Sequence, residues 1–291
     1  MRRCRRAWNG CHASVVCHAM DAYQSPTPRQ GWAYFLDVDG TLLEIAERPD
    51  DVRVDPPLIA TLDALRGGCE GALALISGRR IHDLDRLFWP LRLPAAGVHG
   101  LERRRADGSI ERAPATGLSA IRRRFAAFAA QDPRLHLEDK GLSIALHYRL
   151  APHLEDAVSA LSASILAEAD RSVRLLRGKM VVEFCLSASD KGQAIAAFMA
   201  EAPFIGRRPV FAGDDLTDED GFRAVLAMRG MALRVGADAP TVAPWRLPSV
   251  AALRAWLQAV AAAASPEAAA RAFFPPGTNS PASPMPCLAP P

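Results

Sequence analysis

The stretch Trp32-Ala33-Tyr34-Phe35-Leu36-Asp37-Val38-Asp39-Gly40-Thr41 passes without a break from an apolar run into a pair of carboxylates. A short apolar run that ends in polar residues is the pattern of a strand buried on both faces. Alternate residues of a strand share a direction, so Asp37 and Asp39 emerge together at its carboxyl edge, where open α/β sheets bind ligands. Two carboxylates placed this way repel, and a hard, oxygen-seeking ion such as Mg²⁺ satisfies both while bridging to a phosphate oxygen. Gly40 lets the backbone turn sharply and Thr41 adds a hydroxyl, which turns the following amides toward an anion. Taken alone, the pentapeptide also suits two aspartates capping the turn after a strand.

Its neighbours along the chain decide between these. ALALIS (72–77), RPVFAG (208–213) and MALRV (231–235) read as further buried strands. Helical spacing of apolar residues over Pro56 to Arg66, Ile81 to Phe88, Lys191 to Ala200 and Leu216 to Met228 alternates with them. Such alternation predicts an α/β fold, a Rossmann-like core around a parallel sheet. After the 208–213 strand comes a second acidic cluster, Gly213-Asp214-Asp215-Leu216-Thr217-Asp218-Glu219. So many acids at one strand end are costly without a cation. Asp214 is placed to ligate it, and Asp215 joins the metal group, with Asp215 and Asp218 orienting its waters or capping the next helix. Ser77 ends a third strand, where its hydroxyl and the adjacent amide suit a phosphoryl oxygen, and Lys191 opens a helix with a positive charge for the same group. Each alone is ordinary, a helix cap and a surface lysine; their order and spacing are not.

Between about 111 and 185, Ala- and Arg-rich helical segments (119–130, 153–169) alternate with strand-like LSIALHYR (142–149) and MVVEF (180–184). This predicts an α+β domain at 111–185 inserted into a core made of 31–110 and 186–265. Residues 1–30 and the Pro-, Ala- and Ser-rich 266–291 read as disordered. The 291 residues carry 35 basic and 32 acidic side chains, a balance that argues against nucleic acid or anionic membrane as the main partner. No apolar run is long enough to cross a bilayer. The six cysteines fit no zinc or disulfide pattern, which suggests a reducing, cytoplasmic setting. Arg103 to Arg105 and Arg122 to Arg124 read as solvated faces, the latter on a helix whose apolar face is Ile121, Phe125 and Phe128.

The ordered set Asp37 to Thr41, Ser77, Lys191 and Asp214–Asp215 resembles the four motifs of the haloacid dehalogenase-like (HAD) superfamily. Within it the chain is similar to the trehalose-6-phosphate phosphatase family, through Gly97-Val98-His99-Gly100-Leu101-Glu102, Lys140-Gly141-Leu142-Ser143, Leu146-His147-Tyr148-Arg149, Gly178-Lys179 with Glu183, and GDDLTDE. The resemblance implies a C2-type cap over the active site and Mg²⁺-dependent hydrolysis of trehalose 6-phosphate to trehalose and phosphate, the last step of trehalose biosynthesis. It implies catalysis by Asp37 as nucleophile and Asp39 as acid and base, with Ser77 and Lys191. Metal ligation falls to the Asp37 carboxylate, the Asp39 main-chain carbonyl and Asp214, with Asp215 in the group. Substrate contacts are expected from Thr41, Arg79, His99, Gly100, Lys140, His147, Arg149, Lys179 and Glu183, and a monomer or weak oligomer is expected. Another capped sugar phosphatase, a hexose phosphomutase and a non-catalytic sugar-binding module are the competing readings. Retention of both Asp37 and Asp39 argues against the last.

Overall fold

The computed structural model describes residues 31–46, 51–114, 117–170, 172–236 and 240–263. Four of the six cysteines and most of the two expected tails lie outside these residues, while Cys69 and Cys185 are buried and free. Among the described residues no helix is long and apolar enough to cross a membrane.

The quoted stretch forms β1 (Trp32–Leu36), with every residue buried. It lies at the centre of an eight-stranded sheet of order β12-β11-β10-β1-β2-β3-β4-β5. The other core strands are β2 (Leu73–Ile76), β3 (Ala95–Gly97), β4 (Glu102–Arg104), β5 (Ile110–Arg112), β10 (Arg208–Gly213), β11 (Met231–Val235) and β12 (Trp245–Leu247). From β12 to β3 all pairings are parallel, and β3–β4 and β4–β5 are antiparallel. Helix α1 (Pro56–Gly68) carries the chain from β1 to β2, and α6 (Glu219–Ala227) carries it from β10 to β11 in the opposite direction along the sheet. Right-handed crossovers therefore put these two helices on opposite faces. α1 packs with the last helix, α7 (Val250–Ala263), and α6 with α5 (Lys191–Met199). Asp55 starts α1 by accepting a hydrogen bond from the Leu58 amide, with prolines in the first turn that need no partner for their nitrogen. Beneath α5, Phe35 stacks on Phe204 at 5.3 Å between ring centroids and meets Phe198 at 6.0 Å.

β1 and β10 are neighbours from which the chain departs in opposite directions, which is the switch point of an open α/β sheet. Their register pairs Leu36 with Ala212, so Asp37 and Asp214 leave the sheet side by side.

After β5 the chain builds a separate four-stranded antiparallel sheet of order β6-β7-β9-β8. Its strands are β6 (His136–Asp139), β7 (Ser143–His147), β8 (Val173–Gly178) and β9 (Val181–Leu186). Helices α3 (Ser119–Ala129) and α4 (Glu155–Glu168) cover one face, with Phe125 against Phe184 at 5.5 Å. The two-residue alternation of β7 sends Ile144 and Leu146 into this core and Ser143, Ala145 and His147 to the other face. On that other face, Glu138, Ala145 and Glu183 stand in one cross-strand row. The core sheet thus runs just past the expected break at 110, to Arg112, and β9 runs to Leu186.

Two expectations need correction. Arg103 and Arg104 are buried, at 8% and 3% exposure, rather than solvated. Arg103 pairs with Glu201 and Glu111 and lies over Phe198, and Arg104 pairs with Asp85 and the Leu93 carbonyl. Opposite charges and carbonyls carried by other elements neutralise a run that looks unpartnered in one dimension. The helix expected from Leu216 begins at Glu219, after a 3-10 turn over Leu216–Asp218, because the Asp218 carboxylate folds back on the amides of Asp214 and Asp215. Arg122 and Arg124, by contrast, are half-exposed and paired with Asp139 and Glu168.

Candidate active site

Segments of the core and of the inserted domain converge on a cavity of about 190 Å³ between the two sheets, lined in part by residues 37–46, 52, 77–79, 99, 138–149, 178–191 and 214–218. Asp37, whose amide donates to the Ala212 carbonyl, is 4% exposed. Lys191, the first residue of α5, is 3% exposed. Its Nζ lies 2.7 Å from Asp37 Oδ1 and 2.6 Å from Asp218 Oδ1. One lysine thus holds one oxygen of Asp37 and leaves the other for the pocket. Asp218 Oδ2 accepts from the amides of Asp214 and Asp215 at 2.9 Å each, so Asp218 fixes the acidic loop and both of its oxygens are engaged.

Asp37, Asp214 and Asp218 bring one carboxylate oxygen each within 4.8 Å of one another. Burial pushes the Asp37 pKa well above the ordinary carboxylate range, and Asp218 and Asp214 push it further against the opposing pull of Lys191. Asp214 is also raised, by burial and by Asp218, with Lys179 opposing. Lys191 is held charged: burial works against its proton, but Asp218 and Asp37 outweigh it. Crowded acids whose pKa values are driven up, all with hard oxygen donors, are the donor set a divalent cation fits. Asp214 Oδ2 is met at 2.7 Å by Lys179, whose side chain is 54% exposed and free to withdraw. Asp214 Oδ1 accepts from Thr41 at 3.2 Å. Gly40 has φ +84°, and a Cβ there would lie 2.2 Å from Asp214 Oδ2, so only glycine permits this approach.

The expected metal and acid groups do not all gather at one point. Both oxygens of Asp39 are taken at 2.7 Å by Arg79, a two-bond fork, which leaves its main-chain carbonyl as its means of reaching a cation. Asp215 caps the turn, accepting from the Leu216 amide at 2.8 Å, and its place in the cluster is taken by Asp218. Ser77 is buried and its Oγ accepts from the Arg79 amide at 3.1 Å.

From the second sheet come Glu138, Lys140, His147, Arg149, Lys179 and Glu183. Lys140 Nζ reaches both oxygens of Glu183, at 3.1 and 3.2 Å, and Ser143 Oγ donates to Oε1. His147 meets Glu138 at 3.0 Å, and Arg149 donates to the Lys179 carbonyl at 2.8 Å. Burial acts to raise the Glu183 pKa, but Lys140, His99 and Ser143 outweigh it and hold the carboxyl far below its ordinary range. His99 reaches Glu183 from the core at 3.3 Å. Gly100 does not line the cavity; it lies against Ser189 and the Asp190 carbonyl, behind Lys191. Glu138, Ser143 and Thr217 were absent from the expected site; the Glu138-x-Lys140 alternation along one strand was the available signal for the first.

A Rossmann-like core with an acidic cluster at the switch point, a buried lysine and an α+β cap inserted after the third parallel strand is an architecture shared with solved phosphatases. Its fold matches the trehalose-6-phosphate phosphatase C-terminal domain of C. albicans, with a TM-score of 0.71 over 80% of this chain and 92% of that one at 19% identity. It also matches a HAD-superfamily phosphatase of Bacteroides thetaiotaomicron, with a TM-score of 0.54 over 81% and 98% at 16% identity. Residues 35–251 match the trehalose-phosphatase family. The trehalose-6-phosphate phosphatase of Escherichia coli K12 is 45% identical over 242 residues, which is 82% of this chain and 90% of that protein. The chain belongs to the trehalose-phosphatase family.

Proposed function

We propose that this protein hydrolyses trehalose 6-phosphate to trehalose and phosphate in the cytoplasm, with Mg²⁺ as cofactor and an aspartyl-phosphate on Asp37 as intermediate, completing trehalose synthesis. The observation that carries the chemistry is Asp37 itself: a buried carboxylate tethered at one oxygen by Lys191, at the switch point beside Asp214. The untethered oxygen of Asp37 attacks phosphorus in line, and the bond to the sugar oxygen breaks as Asp39 gives that oxygen its proton. Asp39 then takes a proton from the water that attacks the phosphoryl group, and cleavage of the acyl phosphate returns Asp37. Arg79 aims the Asp39 carboxyl through a two-bond fork, one bond of which opens when Asp39 carries the proton.

Phosphoryl transfer asks mainly for alignment and charge neutralisation. Lys191 and the Ser77 hydroxyl supply part of it. Asp37, Asp214 and the Asp39 carbonyl would hold Mg²⁺, with Asp218 fixing their loop, and the ion would supply Lewis-acid charge neutralisation for phosphoryl transfer. Sugar selection falls to the row of Glu138, Lys140, His147, Lys179 and Glu183, because each sugar hydroxyl left unmatched costs about 1–3 kcal/mol. The family membership supports trehalose 6-phosphate as that sugar.

Phosphate release from trehalose 6-phosphate, sucrose phosphate and glucose 6-phosphate, with Mg²⁺ or with chelator, tests the proposal. Trehalose 6-phosphate should be strongly preferred, chelator should stop release and Mg²⁺ restore it, and Asp37→Asn should be folded and inactive. Preference for another sugar would overturn the substrate; wild-type turnover by Asp37→Asn would overturn the nucleophile.

A further inference from the structure

We infer that His99 is a positioning residue: the joint through which the cap, when seated on sugar, holds the phosphoryl-binding loop 77–79 in its working position. Glu183 faces the cavity with three side-chain partners among the described residues, and two of them, Lys140 and Ser143, belong to the cap. The third, His99, comes from the core. A carboxylate accepts only, so the His99 Nε2 that faces it carries the hydrogen, and the ring is neutral because burial pulls its pKa down more than Glu183 raises it. Among the described residues Nδ1 is buried without a partner, so the imidazole has one directed contact there, and that contact crosses to the cap.

On its other side His99 is built into the loop that ends β2. Its amide donates to the Ser77 carbonyl at 3.0 Å, and the Val98 amide donates to the Arg79 carbonyl at 2.9 Å. The ring lies over Gly78, where a Cβ would fall 2.8 Å from Cε1 and 2.9 Å from Nε2. Arg79 in turn forks onto Asp39. Val98 and His99 both have positive φ, 47° and 56°, a pair of left-handed residues that a β-branched side chain tolerates only under constraint. The path from Glu183 to Asp39 therefore runs through one side-chain contact and a loop held by two main-chain carbonyls and a guanidinium fork. The cavity lies between core and cap and is lined by both His99 and Glu183, so a phosphorylated disaccharide bound there bears on Glu183, and the His99–Glu183 contact is what reports a seated cap to Ser77 and Arg79.

The test is a double-mutant cycle with His99→Asn and Glu183→Gln on trehalose 6-phosphate hydrolysis. Asparagine keeps the left-handed backbone but is too short to reach Glu183. His99→Asn should lower kcat on the order of tenfold with KM changed by less than about twofold, since it loosens the working loop without touching sugar. Glu183→Gln should lower kcat too, and the double variant should lose no more kcat than the worse single one. A loss confined to KM, or single effects on kcat that multiply, overturns the inference; so does Glu183→Gln with wild-type kcat, which serves even if His99→Asn does not fold. The inference rests on the proposed substrate: a wild-type protein inactive on trehalose 6-phosphate would refute that reading, whereas an active wild type with multiplicative effects refutes the joint alone.

Discussion

Replacing Lys191 by methionine separates its structural task from its chemical one. The side chain keeps its volume, but Asp37 and Asp218, 4% and 0% exposed, lose the ammonium that lies 2.7 and 2.6 Å away. Removing one partner of a buried ion pair costs about 3–5 kcal/mol. Asp37, whose pKa burial already raises, relieves part of this by taking up a proton, which puts the loss near the lower bound. For a chain of this size about 3 kcal/mol corresponds to a fall in Tm of about 5–6 °C. The sign of the pH dependence follows. Carboxyls whose folded pKa lies above the unfolded value bind more protons when folded, so stability drops as pH rises through that interval. The deficit of Lys191→Met should therefore be smallest in acid and widen as pH rises above the ordinary carboxylate range. Thermal unfolding in chelator across that range measures it, and Mg²⁺ should recover much of the loss by neutralising the same acids. A variant with wild-type Tm at every pH in chelator would show that Lys191 does not compensate these carboxylates.

Gly40→Ala places a methyl where Asp214 Oδ2 lies, 2.2 Å from the ideal Cβ, at φ +84°. Asp214 must move, and the Mg²⁺ concentration for half-maximal phosphate release should rise by about tenfold or more; an unchanged titration would sink the ligand assignment. Lys140→Met removes the principal charge that holds Glu183 below the ordinary carboxylate range. A depressed carboxylate stabilises above the unfolded range and loses that stabilisation as pH falls through its folded pKa. In the wild type this happens only in strong acid, so Lys140→Met should move the acid-unfolding midpoint, followed by circular dichroism, toward neutral pH.

The four catalytic segments were legible because each is a short signal at the end of a buried apolar strand or the start of a helix. Asp37, Ser77 and Asp214 follow β1, β2 and β10, and the switch point needs only their order. β3, β4 and β5 were not legible. Three residues give no period to detect, and β4, Glu102-Arg103-Arg104, is charged yet buried because its partners Asp85, Glu111 and Glu201 lie far apart in sequence. Asp215 takes the capping role its sequence offered rather than joining the acidic cluster, for a local reason: a capping box ties Asp215 to the turn and turns Asp218 inward, and adjacent acids in a loop carry no periodicity that says which one points at the site. The cap network was half visible. Lys140, His147 and Glu183 were picked out as polar, but their mutual pairing depends on the register of β6, β7 and β9, which no single strand encodes.

β9 ends at Leu186 and α5 begins at Lys191, so only residues 187–190 join the sheet that selects the sugar to the lysine that steadies the nucleophile. Asp190 caps α5 by accepting from the Gln193 amide at 2.8 Å, and Arg174 of β8 donates to the Ser189 carbonyl at 2.8 Å, so this link is clamped from both sides. In modular terms the two ends of the insert are unequal. A graft that exchanges one lid for another must keep the downstream splice in register, or α5 starts at the wrong place and its first side chain misses Asp37. The splice after Arg112 carries no catalytic side chain at its edge and tolerates a change of length.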